Sequence, residues 1–201
     1  ASESGRGWES CMTIGDEAAW GYSRHNPMRK TASQLLRNLS LAASSEGNYL
    51  LNIGPDGQGR IVDEDTSLLR RMGDWLKIHG KAIYGSERFE LSKTFYNQCS
   101  CTKKGSVLYL HVNRWTAPEM VLPLFETTPV KATLLTTGKP LGIKEKSNGR
   151  IVLCQLPLTP PDPDMCIIQL DFEDEPAIIN EIDHASWLYG QATVIDSPLP
   201  T

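Results

Sequence analysis

The chain has 201 residues, of which 40% are hydrophobic and 22% charged, enough apolar material for one large domain or two small ones. These proportions exclude a disordered chain, a collagen-like repeat and a coiled coil. Twenty Lys and Arg stand against 24 Asp and Glu, a net charge of −4, so there is no global basic field for gripping nucleic acid, and no run reaches the roughly 20 apolar residues of a membrane span.

Residues 1–7 are small and polar and read as a loop. Trp8–Ile14 reads as a short strand leading into a loop over Gly15–Asn26, with Pro27 just ahead of a helix. From Thr31 the residues Leu35, Leu36, Leu39, Ala42 and Ala43 recur at the helical period. Thr31 and Ser33 are candidate N-caps and Gly47 a candidate C-cap. Asn48–Ile53 is a short apolar run, predicted as a strand buried on both faces in a parallel sheet. The turn Gly54–Gly59 lacks the residue pattern of a phosphate-binding loop. A second helix is predicted over Asp63–His79, with the stripe Leu68, Leu69, Met72, Trp75, Leu76 and Ile78, three acidic residues suited to its first turn, and Gly80 as its stop. Helix, strand, loop and helix in this order is the grammar of an α/β protein.

The composition changes from about Ala82 onward. Phe95–Cys101, Ser106–Asn113, Met120–Leu124, Val130–Leu135, Ile151–Leu156 and Cys166–Phe172 read as strands without intervening helices, with turns at Lys103–Gly105 and Ser147–Gly149. Such a run predicts an antiparallel β-sandwich. The boundary falls within Tyr84–Ser92, giving segments 1–85, 86–174 and an acidic, then aromatic, extension 175–201.

The five cysteines (Cys11, Cys99, Cys101, Cys154, Cys166) leave at least one thiol unpaired, and Cys99-x-Cys101 lacks the spacing of a zinc site. The sequon Asn38-Leu39-Ser40 lies inside the first helical pattern and reads as a chance match. In the strand region His111 and Trp115 are read as packing residues.

Three motifs stand out in series: Trp8-Glu-Ser-Cys-Met-Thr-Ile14 followed by Trp20-Gly-Tyr22; Gly47-Asn-Tyr-Leu-Leu-Asn-Ile-Gly-Pro55; and Trp75-Leu76 followed by Gly80-Lys-Ala-Ile-Tyr-Gly85. In order and spacing this series resembles the α-L-fucosidases of glycoside hydrolase family 29, a family of retaining enzymes. The resemblance covers about residues 7–86, and weakens beyond to the position and type of the strand-rich region.

The resemblance implies a fold class of α/β plus all-β: the last strands and helices of a (β/α)8-like catalytic barrel, then an antiparallel β-sandwich. Active sites of such barrels lie at the C-terminal ends of the strands, which places the 15–26 and 54–59 loops toward the sugar. It implies that the nucleophilic Asp lies on an earlier strand, outside this chain, so that residues 1–201 alone are inactive. Trp20, Gly21 and Tyr22 become the substrate-binding residues, the aromatic rings matching the apolar face and methyl group of fucose. Glu9 becomes the candidate catalytic carboxylate, as acid/base or in the wall of the site. Asp16, Glu17, Arg24 and His25 on the same loop are read as solvated, and Asn48 and Asn52 as amides that satisfy loop backbone near the barrel mouth. Lys81 stands where the family commonly has Glu. No metal and no organic cofactor is implied. The expected partners are a fucosylated glycan or fucoside and the N-terminal part of the same enzyme, with no nucleic acid and no membrane, in a secreted or lysosome-like compartment. Ala1 in place of Met fits a piece of a larger chain. The alternative is a non-catalytic carbohydrate-binding or scaffolding fragment.

Overall fold

The computed structural model describes residues 7–15, 20–23, 28–91 and 98–179. The chain runs through β1 (Trp8–Thr13), α1 (Ala32–Ala43), β2 (Gly47–Asn52) and α2 (Asp63–His79), and a short 3-10 turn follows at Gly80–Ala82. Strands then succeed one another: β3 (Glu87–Arg88), β4 (Cys99–Lys104), β5 (Val107–Val112), β6 (Glu119–Val121), β7 (Lys131–Leu134), β8 (Lys139–Glu145), β9 (Ile151–Cys154) and β10 (Cys166–Asp171).

Helix α1 begins where the cap signals converge. Thr31 Oγ1 accepts from the Gln34 amide, and Gln34 Oε1 accepts from the Thr31 amide at 2.8 Å, a reciprocal capping box. Ser33, the other cap candidate, instead donates to the Asp164 carbonyl at 2.7 Å. The helix ends at Ser44, and the left-handed residue after it is Glu46, with φ of 56°. Gly47 opens β2 rather than capping α1, and it is needed there because a Cβ would sit 2.3 Å from the Trp8 ring. Helix α2 spans the predicted residues.

Strands β1 and β2 pair in parallel, Trp8 with Gly47 through to Thr13 with Asn52, and form a two-stranded sheet. Ile14, Leu51 and Ile53 join Leu35, Leu36, Met72 and Trp75 in one apolar cluster on the helix side. The opposite face carries Glu9, Cys11, Asn48 and Leu50, all exposed. Burial on both faces, expected of 48–53, is therefore not found. No layer of described residues covers that side, and Leu50 stays 43% exposed.

The remaining strands form one continuous antiparallel sheet in the order β3-β4-β5-β10-β7-β8-β9-β6. Six of its strands match the predicted runs, although residues 95–97 of the first run lie outside the described residues. The two-residue strand β3 and the longer β8 are the omissions. Gly138, Pro140 and Gly142 read as turn punctuation, yet Ala132 pairs with Leu141 and Ile143 with Leu153. The Ser147–Gly149 turn forms, whereas the one expected at Lys103–Gly105 is tighter, at Gly105 and Ser106, because Lys103 and Lys104 still pair with Leu108 and Val107; Gly105 at φ 54° and Gly149 at φ 77° supply the left-handed conformation.

The two faces of the central strands β5 and β10 bury different things. Leu108, Leu110, Val112, Cys166, Ile168 and Leu170 point into a core shared with Met120, Ile151 and Leu153 from the far end of the sheet, so the sheet curls over its own apolar face. Tyr109, Met165 and Ile167 point the other way, into the cluster with α1 and α2. Buried polar links stitch the helices to the sheet. Ser40 and Ser100 share a hydrogen bond at 2.7 Å, and Trp75 Nε1 donates to the Met165 carbonyl at 2.8 Å. Trp115 donates to the Pro157 carbonyl at 2.9 Å and packs on the sheet core, as read from the sequence. All five cysteines are free thiols, and four of them are buried.

His111 is fully buried between the layers, and its Nε2 lies 2.9 Å from Thr102 Oγ1. The Thr102 hydroxyl gives its proton to the Ala82 carbonyl at 2.6 Å, so Nε2 carries the hydrogen toward it and Nδ1 is bare. Burial, reinforced by the nearby His79, lowers its pKa to about 3. The folded pKa lies below the unfolded value near 6.5, so the unfolded chain takes up the proton first as pH falls. His111 thus contributes stability that is present above about pH 6.5 and is lost as pH falls from there toward 3, on the order of a few kcal/mol. The expected outcome is an acid-side fall in unfolding temperature across that window, flattened in His111→Gln. An unchanged slope in that variant would refute the assignment.

Candidate functional site

The C-terminal ends of β1 and β2 meet in a crevice lined by Thr13, Gly15, Tyr22, Arg29, Asn52 and Asp65 among others. Its floor extends the parallel ladder, with the Ile14 amide donating to the Asn52 carbonyl at 2.9 Å. The loop leaving β1 closes at its base. Gly15 and Arg29 form an isolated antiparallel bridge, and the Lys30 amide donates to the Ile14 carbonyl at 3.0 Å. Lys30 Nζ gathers the carbonyls of Thr13 and Gly15 at 2.9 and 2.5 Å. A charged donor placed over strand-end carbonyls satisfies groups that the two-stranded sheet leaves unpaired.

The Trp20–Ser23 segment is pinned over the end of β2. Asn52 Nδ2 donates to the Trp20 carbonyl at 2.6 Å, the backbone-satisfying role expected of that amide. Gly54 lies directly beneath the segment: a Cβ there would be 2.5 Å from the Tyr22 amide nitrogen and 2.6 Å from the Gly21 carbonyl carbon. The need for glycine therefore sits at Gly54. A Cβ on Gly21 would meet nothing within 4 Å. With the backbone held, the Trp20 and Tyr22 side chains stand 57% and 45% exposed, flat apolar surfaces beside a polar crevice.

Asp65 is 1% exposed and pairs with Arg29 Nε at 2.5 Å. This is the feature the sequence reading missed. Asp65 was grouped with Asp63 and Glu64 as a helix-dipole residue, but it lies three, four and seven positions before Leu68, Leu69 and Met72, in phase with the buried stripe. A carboxylate on that stripe needs a buried cationic partner, and Arg29 provides it across the loop base. Asp65 is the one carboxylate among the described residues lining the crevice, and it is engaged by that partner.

Glu9 is not brought to the crevice. It sits exposed on the open face of β1, opposite Asn48 in register and four residues before Thr13, about 13 Å along the strand. Asn48 is at the same, N-terminal, end. Asp16, Glu17, Arg24 and His25 lie outside the described residues. No group of three His, Cys, Asp or Glu side chains suited to a metal ion occurs among the described residues, and none of their helices is long and apolar enough to cross a membrane.

The contact beneath Tyr22 gives a direct test. Gly54→Ala is expected to cost about 1–3 kcal/mol by overpacking and to loosen residues 20–23, read as faster chymotryptic cleavage at Tyr22. Gly57→Ala on the same loop, where a Cβ meets nothing within 4 Å, is expected to change neither. Equal behaviour of the two variants would show that Gly54 does not hold the segment.

The family model for α-L-fucosidases matches residues 1–81, the segment that builds the crevice. The tissue α-L-fucosidase of Bos taurus is 33% identical over 159 residues, which are 77% of this chain and 33% of the relative. The plasma α-L-fucosidase of Homo sapiens is 33% identical over 161 residues, 75% of this chain and 33% of the relative. The chain thus spans about a third of the length of the curated relatives it matches. Among solved structures, α-L-fucosidase isoenzyme 1 from Paenibacillus thiaminolyticus superposes with a TM-score of 0.74 at 28% identity, covering 84% of this chain and 40% of that one. The α-L-fucosidase from Vibrio sp. strain EJY3 gives 0.75 at 28% identity, covering 86% of this chain and 30% of that one. The family-model match, the identity to curated fucosidases and the shared α/β and antiparallel architecture agree, and the chain belongs to the α-L-fucosidase family, glycoside hydrolase family 29.

Proposed function

We propose that this chain is the C-terminal portion of a retaining α-L-fucosidase that releases terminal α-L-fucose from glycans through a covalent fucosyl-Asp intermediate. One observation carries the reading. Among the described residues, two parallel strands with their outer edges unpaired gather a small polar crevice bordered by Tyr22 at their C-terminal ends, the end at which α/β barrels place their sites, with the exposed Trp20 on the same segment as Tyr22. In this reading 1–85 closes a (β/α)8-like barrel, with β1 and β2 among its last strands. The curled sheet of 86–174 is a β-sandwich bracing it, and 175–201 extends from it. Trp20, Gly21 and Tyr22 form the fucose-facing wall. The two aromatic rings complement the sugar's apolar face and methyl group.

Retaining hydrolysis requires two carboxylates roughly 5–5.5 Å apart. The crevice offers Asp65, already engaged by Arg29, and Glu9 stands about 13 Å away along β1. Both facts favour a nucleophile supplied from outside this chain. The N-terminal part of the enzyme is then the partner that covers the open face bearing Glu9, Cys11 and Leu50. Glu9 is retained as the candidate acid/base or wall carboxylate on that covered face. A secreted or lysosome-like compartment goes with this reading, since one relative is named a plasma enzyme.

Residues 1–201 expressed alone are expected to show no turnover of an aryl α-L-fucoside, and turnover is expected once the upstream part is joined or co-expressed. In the active assembly Trp20→Ala is expected to raise KM about tenfold or more. If Glu9 is the general acid, Glu9→Gln lowers kcat by about 100-fold or more on unactivated glycosides. Turnover by 1–201 alone would overturn the placement of the nucleophile, and an inactive assembly would overturn the fucosidase reading.

A further inference from the structure

Tyr22 lines two depressions. One is the crevice at the strand ends, and the other is a groove on its far side bounded by Asp56, Arg60, Ile61 and the start of α2. Tyr22 is therefore a partition. A ligand lying across the mouth of the crevice and extending past Tyr22 would reach this groove. The groove's opposite wall is a closed, self-braced turn. The Asp56 amide donates to the Arg60 carbonyl at 2.9 Å, and the Gln58 and Arg60 amides both donate to Asp56 Oδ1 at 2.9 Å. Arg60 meets Asp56 Oδ2 through Nε at 3.0 Å and Nη2 at 2.9 Å. The hydrogen bond from the Arg60 amide, with those from the Arg60 side chain and the Gln58 amide, holds the Asp56 carboxyl below the usual carboxylate range.

This wall has a specific chemistry. Arg60 has five N–H donors, and its two contacts to Asp56 leave others directed to solvent on a side chain that is 75% exposed. Asp56 fixes the direction of the guanidinium. Ile61, 44% exposed, and Tyr22, 45% exposed, line the same groove. A fixed fork of donors flanked by two apolar surfaces suits a ring that carries hydroxyls at its edge and C–H bonds on its faces.

We infer that the groove between Tyr22 and the Asp56–Ile61 turn binds the leaving-group sugar, the pyranose to which the fucose is attached. Arg60 donates to its hydroxyls, and Tyr22 and Ile61 pack on its faces. This deepens the fucosidase reading and rests on it. It makes the 56–61 turn a determinant of which fucosylated glycan is preferred, separate from the residues that hold fucose itself.

The test uses the complete, active enzyme. The first step identifies the fucosyl disaccharide (α1-2, α1-3, α1-4 or α1-6) that it hydrolyses fastest. Then kcat/KM on that disaccharide is compared with kcat/KM on 4-nitrophenyl α-L-fucoside for the unsubstituted enzyme, Arg60→Ala and Ile61→Ser. The ratio of disaccharide to aryl fucoside is expected to fall about 5- to 10-fold in each variant, the size of one charge-assisted contact, with the loss in KM for the disaccharide. A ratio unchanged in both variants while aryl fucoside is still turned over would overturn the inference and leave the fucosidase reading standing. So would an enzyme that cleaves aryl fucoside and none of the disaccharides. If the unsubstituted enzyme cleaves neither substrate class, the fucosidase reading falls and this inference with it. Arg60→Lys, which keeps the charge and loses the fork, serves as the second variant if Arg60→Ala fails to fold. It is expected to lower the ratio as well.

Discussion

Strands β5 and β10 have no solvent face, and the rest of the architecture follows from that constraint. One side of each closes the curled sheet's own core, and the other closes the cluster beneath α1 and α2. Tyr109, Met165 and Ile167 cannot serve the helices unless the helical segment lies at one angle and height over the sheet. The polar links between the layers fix that placement further. Ser40 on Ser100, Trp75 on the Met165 carbonyl and Thr102 on the Ala82 carbonyl are buried hydrogen bonds, and each would leave an unsatisfied group if the layers slid. The α/β segment is thereby mounted on a rigid base, and its outer face, with β1 and β2, is left presented and uncovered.

The crevice inherits this rigidity through very few contacts. Lys30 holds the end of β1, Arg29 and Asp65 lock the loop base to α2, and Asn52 with Gly54 seats the Trp20–Tyr22 segment. All of these act on backbone or on each other, so the polar groups of the crevice are largely spent on positioning. Two aromatic surfaces and the neighbouring Arg60 turn remain free to meet a ligand. This is the composition of a recognition wall, and the arrangement agrees with a protein whose reacting carboxylates come from elsewhere. Both β1 and β2 have an unpaired edge, and an uncovered parallel pair is an incomplete element: parallel sheets are stable when both faces are covered.

Tyr22 lines both the crevice and the groove beside the Arg60 turn. In the proposed reading, recognition of fucose and of the sugar it is released from would be mechanically joined through the Gly54 contact beneath that residue. A change in either loop is transmitted to the ring between them.

Much of this was legible in the amino-acid sequence. Helical periodicity placed α1 and α2, the cap candidates Thr31 and Ser33 marked the start of the first helix, and the glycine turns and short apolar runs marked most of the antiparallel strands, because these signals are local and depend on neighbouring residues alone. The family series of Trp-Glu, Trp-Gly-Tyr and Gly-Asn-Tyr-Leu-Leu-Asn motifs located the site region. Tertiary structure decided what depends on distant partners. It showed that β8 pairs despite its Gly and Pro, since strands on both sides supply the ladder. It put Asp65 against Arg29, thirty-six residues away in sequence. It placed a glycine requirement at Gly54, beneath the Gly21–Tyr22 backbone, because a close approach involves two segments and a sequence displays one at a time. It also set Glu9 about 13 Å along β1 from the crevice, a distance that exists only once the strand ends are seen to form that crevice.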